Sequence, residues 1–198
     1  MQLCLFEGGL TRGQANDGQF RRRELHDGAW VEYQPAWLSG QHQLMAELIA
    51  GANWRRERRL MYERVVDVPR LTAPAPQDGE LGRLIRSLAG RLGRKYEADL
   101  SEVSLAYYRD GRDSVAPHGD RIGARRLDTT IAIVSLGAPR RFTLRQVAGP
   151  GSFSYALGWG DLLVMGGSCQ RTWLHGVPKI ARADPRVSMV FRPAPPVH

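Results

Sequence analysis

The chain has 198 residues, 42% of them hydrophobic and 24% charged, a balance that fits one folded domain with its own core and excludes a disordered or low-complexity chain. Its formal net charge is +8, so its surface attracts polyanions, nucleic acid above all. Cys4 and Cys169 stand far apart and outside any CxxC pair, the opening residues carry no basic n-region, and no apolar run approaches the ~18 residues of a membrane span, so the expectation is a cytoplasmic, monomeric protein with reduced thiols and no membrane partner.

Residues 24–36, ELHDGAWVEYQPA, place a DG turn before a short strand, Trp30 to Tyr33. Residues 41–51 read as a helix, with Leu44, Met45, Leu48 and Ile49 on one side and Gly51 as its stop. Residues 59–68 read as extended, and Pro69, Pro74 and Pro76 mark a loop, PRLTAPAPQDG. Residues 79–96 form the clearest helix, because Leu81, Leu84, Ile85, Leu88 and Leu92 fall on a single stripe. Arg83, Arg86, Arg94 and Lys95 lie off that stripe, on a solvated face.

From residue 101 onward the pattern turns to period two or to short apolar runs. The predicted strands are 102–108, 114–120, 127–135, 140–146, 153–157, 161–166, 172–177 and 186–192, punctuated by Gly and Pro. Helices first and many short strands afterwards imply an α+β domain built on a two-sheet sandwich or jelly roll.

Of the five histidines, His118 and His175 lie in predicted strands of the second half. His118 is followed at i+2 by Asp120, and in an extended chain these side chains share a face, with Gly119 between them leaving room. His175, in WLHGV, offers a third ligand from another strand. Two histidines and one carboxylate on one side of a metal, with open positions opposite, form the site type of non-haem iron(II) oxygenases. A histidine also serves as an ordinary hydrogen-bonded residue, so the constellation needs a co-substrate site beside it.

That site is offered by RVSMVFR, residues 186–192. Val187, Met189 and Phe191 alternate with Arg186, Ser188, Val190 and Arg192, so one set enters the core and the other carries two guanidiniums. Arginine grips carboxylates through a bidentate fork. A dicarboxylate such as 2-oxoglutarate can chelate iron at its keto acid end and pair its far carboxylate with Arg186. The competing reading is an edge strand with solvated arginines.

YYRDGRDSVAPHGD, IVSLGAPRRFTLRQ, GWGDLLVMGGSCQRTWLHGVPK and PRVSMVFR, in this order, resemble the motifs of the AlkB family of iron(II)- and 2-oxoglutarate-dependent dioxygenases. The resemblance covers residues 105–193 closely and extends loosely to residue 25. It implies a double-stranded β-helix with N-terminal helices packed outside. The whole of 1–198 would be one such domain, with a nucleotide-recognition region at 1–77 and a catalytic jelly-roll core at 101–193. It implies iron held by His118, Asp120 and His175, and 2-oxoglutarate held by Arg186 at its far carboxylate, Arg192 near its keto acid end and Tyr108 by a hydrogen bond. On the substrate side it implies Tyr62, at the place of an intercalating side chain, with Arg70 of the VPR, Ile122 and Arg145. Ala106 stands where many members have Asn, and Ile122 where many have an acidic residue that reads the base.

The activity implied is oxidative demethylation of alkylated DNA or RNA with dioxygen as co-substrate, releasing aldehyde, succinate and carbon dioxide. The base must be flipped or presented on a single strand. Arg21–Arg23, Arg55–Arg59 (interrupted by Glu57), Arg125–Arg126 and Arg140–Arg141 are candidates for holding phosphates. Two alternatives stay open: an oxygenase of the same kind acting on a modified tRNA base, a protein or a small molecule, and a non-catalytic basic barrel that binds nucleic acid.

Overall fold

Short segments of alternating apolar residues become strands, and two amphipathic segments become the main helices. The computed structural model describes residues 13–16, 18–61, 64–120 and 127–194. In chain order the elements are β1 (Arg21–Glu24), β2 (Trp30–Gln34), α1 (Gln41–Gly51), β3 (Arg55–Met61), β4 (Arg64–Pro74), α2 (Gly79–Tyr96), β5 (Glu102–Tyr108), β6 (Val115–His118), β7 (Ile131–Gly137), β8 (Arg140–Gln146), β9 (Ser152–Leu157), β10 (Asp161–Gly166), α3 (Cys169–Thr172), β11 (Trp173–Val177) and β12 (Arg186–Arg192). One sheet has eight strands in the order β1-β2-β10-β7-β12-β5-β4-β3, the other four in the order β6-β11-β8-β9. All pairings are antiparallel.

Alternation sorts the central strands of the large sheet between two cores. Val31, Tyr108, Ile131, Ile133, Leu163 and Met165 face the small sheet and bury Phe142, Leu144, Leu157, Trp173 and Val177. Val103, Leu105, Ala132, Val134, Leu136, Val187, Met189 and Phe191 face the other way, onto Leu44 and Leu48 of α1 and Ile85, Leu88 and Leu92 of α2. Strand β7 is buried along its whole length because it lies between both layers. Glu80 in the first turn of α2 and Arg94 and Lys95 in its last match the helix dipole.

Several boundaries differ from the sequence reading. The segment expected as a proline loop continues β4 to Pro74. The β3 pairing shifts register between Arg56 and Arg58, so Val68–Arg70 bulge opposite one residue. Pro69, which has no N–H to donate, sits in that bulge. Strand β6 stops at His118, short of residue 120. Strand β7 begins at Ile131, and Leu127 is 74% exposed. Residues 169–172 form a helical turn before β11. Strand β1, all of it exposed, has no apolar residue to announce it.

Candidate metal centre

His118 and His175 are register partners on the neighbouring strands β6 and β11, so two residues distant in sequence meet on one inner face, with ring centroids 4.4 Å apart. Asp120 lies just beyond β6. One ligand atom from each of His118, Asp120 and His175 lies within 4.8 Å of the others, close enough to share an ion. Local chemistry permits this approach. Strand β6 is at the edge of its sheet, where Pro117 costs no ladder bond. A Cβ at residue 119 would collide with the Gln170 carbonyl oxygen, and one at residue 176 would lie 2.9 Å from the Val115 carbonyl oxygen, so glycine is required at both places. The space that Gly119 leaves is therefore taken by the α3 backbone.

Hydrogen bonds aim the ligands. Nδ1 of His118 bonds the Ala116 carbonyl at 2.9 Å; a carbonyl only accepts, so Nδ1 donates and Nε2 is left as the ligand atom. His175 is 5% exposed. Its burial, reinforced by His118, Arg192 and Arg70 and opposed by Asp120, pushes its pKa down to about 3, so it is the neutral imidazole that metals take. Burial alone would raise the Asp120 carboxyl, but Arg192, His175 and His118 together hold it below its ordinary value. The Asp120 amide donates to Oε1 of Gln170 at 3.0 Å. Arg192 donates to both Asp120 oxygens at 3.3 Å and to Oγ of Ser104 at 2.6 Å.

Arg186 stands directly opposite Tyr108 in the β12–β5 ladder, with its guanidinium 5.1 Å from the tyrosine ring centroid. It is 1% exposed and donates to Oγ of Ser135 at 2.7 Å. Its Nε and Nη1 are buried with no hydrogen-bond partner among the described residues, which is costly unless a ligand accepts from them. Nε and Nη1 of Arg70 are in the same position, and the charge of Arg70 is felt at His175.

The structure does not bring Arg145 into this cluster. His175 pairs with buried Leu144, so Arg145, opposite Leu174, projects from the outer face of the sheet. Tyr62 and Ile122 lie outside the described residues, as do Arg125 and Arg126. Arg140 is also displaced from its expected role: it is 1% exposed and donates to the carbonyls of Asp110, Asp113 and Pro178, so it holds loops instead of phosphate. Gln170, Ser104 and Ser135 escaped the sequence reading. Alternation could have placed Ser135, which faces Ser188 across the ladder, but no local pattern marks Gln170.

The family model described as the 2OG-Fe(II) oxygenase superfamily matches residues 41–192, a span that includes the triad and both β12 arginines. The chain belongs to the 2OG-Fe(II) oxygenase superfamily. Among relatives of this oxygenase, it is 33% identical over 116 residues to alpha-ketoglutarate-dependent dioxygenase alkB homolog 3 of Mus musculus, covering 54% of this chain and 41% of the mouse protein. It is 33% identical over 116 residues to DNA oxidative demethylase ALKBH2 of Arabidopsis thaliana, covering 46% of this chain and 37% of that protein. These matches span about two fifths of the relatives' length. Among solved structures, a prolyl hydroxylase from Trichoplax adhaerens, in complex with a peptide fragment of the hypoxia inducible factor oxygen degradation domain, aligns with a TM-score of 0.60 at 12% identity, covering 82% of each chain. OsALKBH1 aligns with a TM-score of 0.57 at 14% identity, covering 88% of this chain and all of that one. At such identities these structures speak for the fold, which is the jelly roll of 2OG oxygenases.

The residues present fit the groups that the family name implies. Two imidazoles and a carboxylate suit iron(II) with open positions, and the unsatisfied donors of Arg186 suit a carboxylate.

Proposed function

We propose that this oxygenase demethylates N-alkylated bases of DNA or RNA, with release of aldehyde, succinate and carbon dioxide. The observation that carries the reading is the triad together with a buried arginine whose Nε and Nη1 have no partner among the described residues. A basic binding barrel has no use for either, whereas an oxygenase that chelates a dicarboxylate needs both. The curated relatives, AlkB homologues, favour a nucleic-acid base as the substrate.

His118, Asp120 and His175 would hold iron(II), and Arg186, Tyr108 and Arg192 would hold 2-oxoglutarate. Together with dioxygen, these supply the oxidation that hydroxylates the alkyl carbon. The protein's own contribution is orientation. The His118 bond to Ala116 fixes the tautomer, and the Gln170 bond fixes the backbone at Asp120. Arg192, which donates to Asp120 and Ser104, would offer its fork to the carboxylate at the keto acid end. The buried N–H groups of Arg70 offer hydrogen bonds to the acceptors of a flipped base.

Anaerobic addition of iron(II) and 2-oxoglutarate should produce a weak visible charge-transfer band, absent from Asp120→Ala. On admission of air, methylated oligonucleotides should release formaldehyde. Succinate formed with neither methylated DNA nor methylated RNA converted would reject the nucleic-acid substrate while keeping the oxygenase. Absence of both band and succinate would reject the oxygenase.

A further inference from the structure

A cleft of about 460 Å³ opens between the β4 bulge and the loops that follow β5 and β11. Its charged lining is Arg56, Arg109, Arg112 and Lys179 with Asp110 and Asp113. Arg109 is bonded to Asp113 and Arg112 to Asp110, each at 2.8 Å. Arg56 and Lys179 are exposed and form no ion pair among the described residues. The cleft therefore carries a net positive charge, four basic residues against two acidic ones.

Its walls are built rather than accidental. Buried Arg140 donates to Asp110, Asp113 and Pro178 carbonyls at 2.9, 3.0 and 2.8 Å, which ties the two loops together from below. The Ile180 amide donates to the Gly111 carbonyl at 2.9 Å, and the Ser114 amide to the Pro69 carbonyl at 2.6 Å. Residue 111 must be glycine, because a Cβ there would collide with the Ile180 carbonyl oxygen. Both loops run directly into the triad strands. Lys179 lies two residues past β11, and Asp113 lies five residues before His118, at most about 17 Å of extended chain.

We propose that this cleft holds backbone phosphates of the nucleic-acid strand whose base reaches the metal centre, with Arg56 and Lys179 as the principal phosphate contacts. The inference rests on the nucleic-acid reading above. Fixed loops that bear exposed cations and continue into the triad strands suit a polyanion that must be held in register.

The test is the salt dependence of binding of a fluorescein-labelled, unmethylated single-stranded oligonucleotide to the full chain. Arg56→Gln combined with Lys179→Gln should make the slope of log affinity against log salt shallower by about 1.4, two contacts at about 0.7 each, or about 25-fold weaker binding at 0.1 M salt if the curves converge at 1 M. The same charge removed from the exposed face of α2, Arg83→Gln with Arg94→Gln, should leave the slope as in the parent. The charge-conserving pair Arg56→Lys with Lys179→Arg should also keep it. Equal losses from the cleft pair and the α2 pair, or no loss from the cleft pair, would overturn the cleft and leave the nucleic-acid reading standing. A parent chain that binds no oligonucleotide at low salt would overturn both, and that result precedes any variant.

Discussion

Arg186 keeps Nε and Nη1 dry and unbonded, an arrangement whose value depends on a ligand. Two charge-assisted hydrogen bonds at about 1.5–3 kcal/mol each make Arg186→Ala raise the KM for 2-oxoglutarate by at least on the order of 100-fold. Arg186→Lys, which keeps the charge but loses the fork, should fall between; a steady-state titration of the co-substrate is the check. Gln170 touches no reactant but fixes the Asp120 amide. Gln170→Leu should weaken metal affinity about 10- to 100-fold, the usual cost of losing an outer hydrogen bond to a ligand, measured with cobalt(II) absorption. His175 supplies a pH dependence. The folded chain refuses its proton down to about pH 3, whereas the ordinary value is 6.5. The unfolded state binds more protons between those values, so metal-free protein should lose stability as pH falls below about 6.5 and gain none above it. Urea midpoints at about pH 7.5 and about pH 5 test this; His175→Phe should show the smaller acid loss.

At the scale of elements, the α3 turn and the end of β6 are locked together at residue 119. Gly119→Ala forces a methyl onto the Gln170 carbonyl, an overpacking worth about 1–3 kcal/mol, and should lower the thermal midpoint and metal affinity together. This contact also shows what a sequence conceals. Strands Glu102–Tyr108, Arg140–Gln146, Asp161–Gly166 and Arg186–Arg192 fall where alternation puts them, because each has one side in an apolar layer. The β12 alternation likewise separates Val187, Met189 and Phe191 from the two arginines. The β3–β4 bulge is illegible because it depends on which residue of one strand faces which of another. Pro69 reads locally as a chain break, and only the partner strand shows it as a bulge. Asp120 was placed on a strand, yet its position is set by Gln170 from a distant turn. Arg140 and Arg145 read alike in sequence, as surface charge, and the sheet buries one and exposes the other.

For the whole molecule, a metal that binds only the folded chain adds stability by mass action. At 100 times its Kd, manganese(II) should add about 2.7 kcal/mol, raising the melting temperature by about 5–10 °C for a chain of this size. Chelator should reverse the shift, and Asp120→Ala should not show it. Among the described residues, the large sheet also ends at β1 and β3, with sequences RRRE and RRERRLM. A bare rim is a template on which another chain can add its own strand. The exposed β1 carries three successive arginines, so a second copy sliding alongside it meets like charge before any backbone bond can form. These arginines thus act as guards against fibre growth. Replacing those of β1 with threonine or valine should produce strand-by-strand aggregates while leaving the barrel interior intact.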